Sequence, residues 1–268
     1  MIINDEHGFV FVHIPKCAGT SVRKFINTFD SRKGMFKRVD DHLALGKLDY
    51  AHIPLFVLRE HFPHEFEALQ NYWSFAVVRN PFDRFASSLS ERLLGYGAKT
   101  IQHCSKKEIR SSIRQTIEYL TEEENCLLSN EFIHFQRQVD YIQLDGEQII
   151  ESIYTIDQIE ELLADVESKL GRRLVNPSAH ASNRPANRSM VFRNNFLRRV
   201  FETLRPKMNG LVQVLPKSIR QKIRECVYVP RDKRLRDIFE EDHVQAFIRD
   251  YYSDDITFYQ RVLQTKHS

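Results

Sequence analysis

Residues 8–29, GFVFVHIPKCAGTSVRKFINTF, constrain the fold more than any other stretch. Phe9, Val10, Phe11, Val12 and Ile14 form an apolar, β-branched and aromatic run, the pattern of a strand buried on both faces. Pro15 stops that strand. Gly19 allows the backbone to turn where a side chain would obstruct it, and Thr20 or Ser21 can cap a following helix. Val22, Phe25, Ile26 and Phe29 then recur at helical spacing. A strand that feeds a helix through a Lys- and Gly-containing loop is an anion site in outline. Helix N-termini carry unpaired N–H groups and the positive end of the dipole, and Lys16 adds a cation.

The same grammar returns further on. Residues 74–78 (SFAVV) read as a buried parallel strand. Arg79-Asn80-Pro81 turns the chain, and residues 82–94 form a helix with Phe82, Phe85, Leu89 and Leu93 on one face. Residues 48–58 read as a strand that ends near His52 or Ile53 because Pro54 interrupts it. Short helices or strands are expected at 61–70, 108–120, 123–135, 141–144 and 153–156. A helix follows, with Asp157 as N-cap, Glu160 completing a capping box and Gly171 at its end. Residues 176–189, with two prolines and no periodicity, read as a lid or binding loop that includes His180, or simply as a mobile crossing. Basic helices are expected over 192–204 and 217–224, and aromatic-rich helices over 235–252 and 256–263. Alternating strands and helices with a basic residue at each turn imply an α/β chain with a parallel sheet and right-handed crossovers. At 268 residues this is one domain spanning 1–268, with 184–226 a basic helical insertion or lid-like segment.

Composition excludes several classes. The chain is 42% hydrophobic and 28% charged, as soluble globular domains are. It contains no apolar run long enough to cross a bilayer, and its N-terminus does not read as a signal peptide. Four widely separated cysteines (Cys17, Cys104, Cys126 and Cys226) without a CxxC pair imply free thiols in a reducing compartment and no metal site. Cys17, beside a helix N-terminus, is a small loop filler whose pKa that position could lower. The formal charge is only +3, yet residues 184–224 hold eleven Lys or Arg against one acidic residue, Glu202. That segment fits an anionic partner or a solvated basic face.

The loop is not a Walker A sequence, because Lys16 precedes Gly19 instead of following it. No acidic residue stands at an obvious strand end to hold Mg²⁺. The order HIPKCAGTS followed by SFAVVRNPFDRFASS resembles the two nucleotide-binding signatures of sulfotransferases that use 3′-phosphoadenosine 5′-phosphosulfate. It is most similar to the carbohydrate group that includes the heparan 2-O and chondroitin enzymes. His134-Phe135 with Gln138 resembles the HFxxQ segment of that group, and Asp255 and Phe258 give a fainter match near the C-terminus. The resemblance implies an α/β, P-loop-like three-layer fold, with a central mostly parallel sheet flanked by helices and a helical C-terminal part. It implies that Lys16, Cys17, Ala18, Gly19, Thr20 and Ser21 surround the 5′-phosphosulfate. Lys16 would also act catalytically at the bridging oxygen, where charge grows in the transition state. Arg79 and Ser87 would hold the 3′-phosphate, with Arg84 and Ser88 weaker neighbours; Arg84 fits better as a structural ion-pair partner.

Sulfuryl transfer needs a base, and histidine suits neutral pH. His52 leads, placed at the end of its strand on the same sheet edge as both loops. His134 is the other candidate; His13 reads as structural. A His base of ordinary pKa predicts activity that falls below about pH 6.5. The reaction would be in-line displacement without metal. The acceptor would be an anionic or neutral glycan, polysaccharide or glycolipid, with peripheral membrane contact open for residues 192–224 and nucleic acid not expected. A bacterial, cytoplasmic enzyme is the matching expectation. The alternatives are a P-loop kinase-like phosphotransferase and a non-catalytic nucleotide or glycan binder.

Overall fold

In the computed structural model, which describes residues 1–97, 99–123, 126–175, 190–192, 228–230 and 237–265, the chain alternates strands and helices. In order these are β1 (Ile2–Asn4), β2 (Phe9–Val12), α1 (Gly19–Ile26), β3 (Val39–His42), β4 (Gly46–Asp49), α2 (Leu55–His61), α3 (Pro63–Asn71), β5 (Trp73–Val78), α4 (Pro81–Gly95), α5 (Lys106–Glu122), β6 (Gln143–Leu144), β7 (Glu147–Gln148), β8 (Ser152–Thr155), α6 (Ile159–Leu170), β9 (Met190–Phe192), β10 (Tyr228–Pro230), α7 (Asp242–Tyr251) and α8 (Ser253–Thr265).

The two apolar runs singled out in the sequence form the middle of one sheet, ordered β1-β2-β5-β8. β2 and β5 pair in parallel from Phe9↔Trp73 to Val12↔Ala76. β8 adds in parallel from Phe75↔Ser152 to Val78↔Thr155, and β1 closes the other edge antiparallel to β2. Every residue of β2 is buried, and so is all of β5 except Trp73. The result is a mixed α/β architecture with a central, mostly parallel sheet and helices around it. Because β2 and β5 are parallel and adjacent, the loop after β2 and the turn after β5 open on the same edge, where parallel sheets place ligands. One core surrounds the sheet and includes Phe9, Phe11, Val22, Phe75 and Leu162. A second, including Phe85, Leu89, Ile109, Ile113, Val244 and Ile248, fills the space between α4, α5 and α7.

Several expected elements differ. Residues 48–58 are not one strand. β4 ends at Asp49, and it pairs with β3 in a two-stranded hairpin outside the central sheet. Pro54 is the N-cap of α2, with which its fixed φ is compatible, so the apolar residues after it are the buried face of a helix. The helix expected at 61–70 is α3, set off from α2 at Phe62. No regular helix spans 123–135 among the described residues; only a single turn forms at Ile133–Phe135. Side chains have taken over its backbone groups. Leu128 N donates to Gln136 Oε1, Gln136 Nε2 donates to Cys126 O, and Ser129 N donates to Tyr119 Oη. The capping box before α6 is Thr155 with Gln158 around a short 3₁₀ turn, not Asp157 with Glu160. Gly171 does end α6, with φ of 64°. The loop 176–189 with His180, and residues 193–226 of the basic segment 184–226, lie outside the described residues. Among the described residues no helix is long and apolar enough to cross a membrane.

Candidate active site

The loop between β2 and α1 owes its shape to two residues in the left-handed region, Lys16 (φ 63°) and Ala18 (φ 61°). Neither is glycine, so each carries a conformational cost of order 1–3 kcal/mol that the surrounding fold must offset. Such alternation through the left-handed region is a backbone pattern that can turn successive N–H groups toward an anion. α1 starts at Gly19 with Ala18 as N-cap, and no side chain caps it. Thr20 and Ser21 lie exposed in the first turn, so neither is the cap expected from the sequence. Gly19 does not take a positive φ. Its role is clearance: a Cβ there would lie 1.9 Å from His13 Cδ2 and 2.2 Å from Nε2. Lys16 Nζ, four-fifths buried, pairs with Glu91 Oε2 on α4 at 2.9 Å.

Arg79 follows β5, and Asn80 caps α4 by accepting from Phe82 N at 2.9 Å. Arg79 Nη1 donates to Lys16 O at 3.4 Å, which joins the two turns. Gln138 joins them again. Its amide pairs with the Arg79 backbone in both directions at 2.9 Å and accepts from the Cys17 thiol at 3.2 Å. Burial pushes the Cys17 thiol up to about 12, so it stays protonated, and the activated thiolate considered from its position near a helix N-terminus is ruled out at neutral pH. Ser87 is half-buried on α4. Arg84 and Ser88 are buried. Ser88 Oγ and Arg84 Nη1 donate to His134 O at 2.7 and 3.1 Å, and Arg84 Nη2 lies 3.5 Å from Asp255 Oδ2. They hold the backbone of His134 in place.

His52 lies in the turn between β4 and α2, not at a strand end. Its Nδ1 is 3.1 Å from His13 O. A carbonyl only accepts, so Nδ1 carries the proton and Nε2 keeps the lone pair. The imidazoles of His13, His52 and His134 form a row, with centroid separations of 4.5 and 5.3 Å. Burial drives both His52 and His134 down to about 3, with neighbouring His52 and Lys16 adding to the effect at His134. Both are neutral well below pH 6.5, which overturns the ordinary His titration expected from the sequence. Asp49, at the end of β4, joins this group; its carboxyl is raised by burial.

A family model described as a sulfotransferase family matches residues 1–260. The chain belongs to the sulfotransferase family. Neither the comparison with curated proteins nor that with solved structures gave a match. Sulfotransferases transfer sulfuryl groups and generally take them from 3′-phosphoadenosine 5′-phosphosulfate. For a sulfotransferase the arrangement is chemically coherent: a helix start with no side-chain cap, a loop with two left-handed residues, Lys16 and Arg79 joined at that loop, and a neutral imidazole with a free lone pair. Sequence reasoning missed Asp49 and Glu91. Glu91 had a signal, since it lies one helical turn beyond Ser87 on α4. Asp49 had one as well, since it stands three residues before His52, and a turn in which His52 N donates to Asp49 O at 3.1 Å keeps the two together.

Proposed function

We propose that this sulfotransferase moves a sulfuryl group from 3′-phosphoadenosine 5′-phosphosulfate to a hydroxyl of a carbohydrate, polysaccharide or glycolipid. The observation that carries this reading is the junction of the two signature turns. Lys16, Arg79 and Gln138 are tied together at one sheet edge, and Lys16 is near enough to act on both His52 and His134 electrostatically. The loop then serves as a P-loop-like cradle in which amides of residues 16–20, with Thr20 and Ser21, receive the 5′-phosphosulfate. Arg79 and Ser87 receive the 3′-phosphate.

In the transfer the acceptor oxygen attacks sulfur. The bond from sulfur to the 5′-phosphate oxygen breaks, and the acceptor proton passes to His52 Nε2. The products are a sulfate ester and the 3′,5′-bisphosphate. Lys16 stabilises the departing oxygen once it has left Glu91, and His134 orients the acceptor. The basic stretch 184–224 supports an anionic glycan through its Arg and Lys rows.

Adenosine 3′,5′-bisphosphate should raise the melting temperature without Mg²⁺, and ATP should do so poorly. Stabilisation by Mg-ATP alone would instead indicate a phosphotransferase. His52→Ala should lower turnover roughly a hundredfold or more while bisphosphate still binds; near-full turnover in that variant would remove His52 as the base.

A further inference from the structure

Asp49, His52 and His134 each offer one ligand atom, and these atoms all lie within 4.8 Å of one another. We infer that these three residues form a binding site for one divalent transition ion of the zinc class, and that the ion and the acceptor exclude each other there.

The side chains of Asp49 and His52 are fixed by a contact that leaves a lone pair unused, and the backbone of His134 is fixed beside them. Asp49 Oδ1 accepts from Ala51 N at 2.9 Å, which leaves Oδ2. His52 is fixed through Nδ1 on His13 O, which leaves Nε2. The His134 backbone is held at its carbonyl by Ser88 and Arg84, and its ring lies against His52 at 5.3 Å between centroids. Among the described residues no hydrogen bond links the Asp49 carboxylate to either imidazole, so it does not act as their orienting partner. Ligands held from behind with converging lone pairs are how proteins build metal sites. Two imidazoles and one carboxylate favour zinc, cobalt or nickel over magnesium or calcium. Around one zinc, ligand atoms at about 2.0–2.1 Å sit roughly 3.4 Å apart. The three therefore need to close by about 1.4 Å at most, within the reach of side-chain rotation. Asp49 and His134 are only partly buried, so an ion can enter. Of the nearby cations, Lys16 is already balanced by Glu91.

The exclusion rests on the proposed transfer reaction: an ion on His52 removes the lone pair that would accept the proton. Binding itself does not depend on that reaction. The test titrates the chelator-treated full chain, freed of chelator, with Co²⁺ and follows its ligand-field absorption. One Co²⁺ per chain should bind and be displaced by Zn²⁺. Asp49→Asn and His134→Gln should each weaken it roughly tenfold or more, with thermal melts reporting that both variants fold. His64→Ala, an exposed histidine elsewhere, should change nothing. Absence of the absorption, or affinity unmoved by Asp49→Asn and His134→Gln, would overturn the site. With any acceptor that is sulfated, Zn²⁺ should abolish transfer; full turnover at saturating Zn²⁺ would overturn the exclusion. The cobalt titration needs neither donor nor acceptor, so it reads the metal site even if no transfer is ever found.

Discussion

A methyl group added at Gly19 would sit 1.9 Å from His13, whose carbonyl fixes the tautomer of His52. Gly19→Ala should therefore cost about 1–3 kcal/mol in stability through overpacking, read by denaturant unfolding. It should also lower turnover about tenfold or more, because His13 cannot move without disturbing His52. A variant of full stability and turnover would contradict this coupling. Lys16 and Glu91 make an opposite case. Their ion pair must open before Lys16 can meet the donor. Removing a partly exposed pair changes energies by about 0.4–1 kcal/mol, so Glu91→Gln should tighten bisphosphate binding roughly 2–5-fold by calorimetry. Weaker binding would mean that Glu91 serves the donor instead of competing for Lys16. His52 carries a pH prediction. With its pKa pushed down to about 3, kcat/KM measured with chelator present should show no His-dependent loss between about pH 8 and pH 5. A midpoint near 6.5 would contradict the buried setting.

At the scale of elements, the two strand–turn–helix units were legible because each apolar run is bounded by proline and followed by a clear 3.6 period. The placement of His52 was not. Leu55, Val57 and Leu58 read equally well as strand or as helix face, and Pro54 can end one or begin the other; only the hairpin β3–β4 and α2 decide it. The motifs exposed Lys16, Arg79, His52 and His134. Asp49 and Glu91 carry no family motif; their signals were spacing alone, three residues before His52 and one helical turn after Ser87. Gln138 stood in the HFxxQ echo, but its part in joining two loops is a three-dimensional fact. α8 is bound into the same network. Asp255 accepts from the amides of Gln138 and Val139, both at 2.9 Å, and faces Arg84. Burial raises its carboxyl, while Arg84 and those amides act against the rise. Breaking a fully buried pair leaves a charge without its partner, so Asp255→Asn should cost about 3–5 kcal/mol. Urea unfolding checks it, and a loss below about 1 kcal/mol would show that Arg84 finds another anion.

For the whole molecule, the imidazole row ties stability to pH. His13, His52 and His134 are all shifted down by burial, so the folded chain excludes protons that the unfolded chain takes up below about pH 6.5. This contribution to stability is fully present above that pH. It declines as pH falls toward the folded pKa values, by up to about 1.4 kcal/mol per pH unit for each histidine. Unfolding midpoints should drop clearly between about pH 7 and pH 5; a flat profile would mean that the row is solvated. Acid should thus reduce activity through unfolding, not through titration of the base. The charge of the chain is also divided, with residues 184–224 strongly basic in a protein of net +3, which is consistent with an acidic glycan as acceptor. The most direct measurement is transfer from sulfur-labelled donor to a panel of desulfated glycosaminoglycans, bacterial polysaccharides, glycolipids and small phenols. The proposed reaction predicts label in a carbohydrate, without added metal, and its loss in Lys16→Ala and His52→Ala. Label in phenols alone, or transfer undiminished in Lys16→Ala, would contradict it.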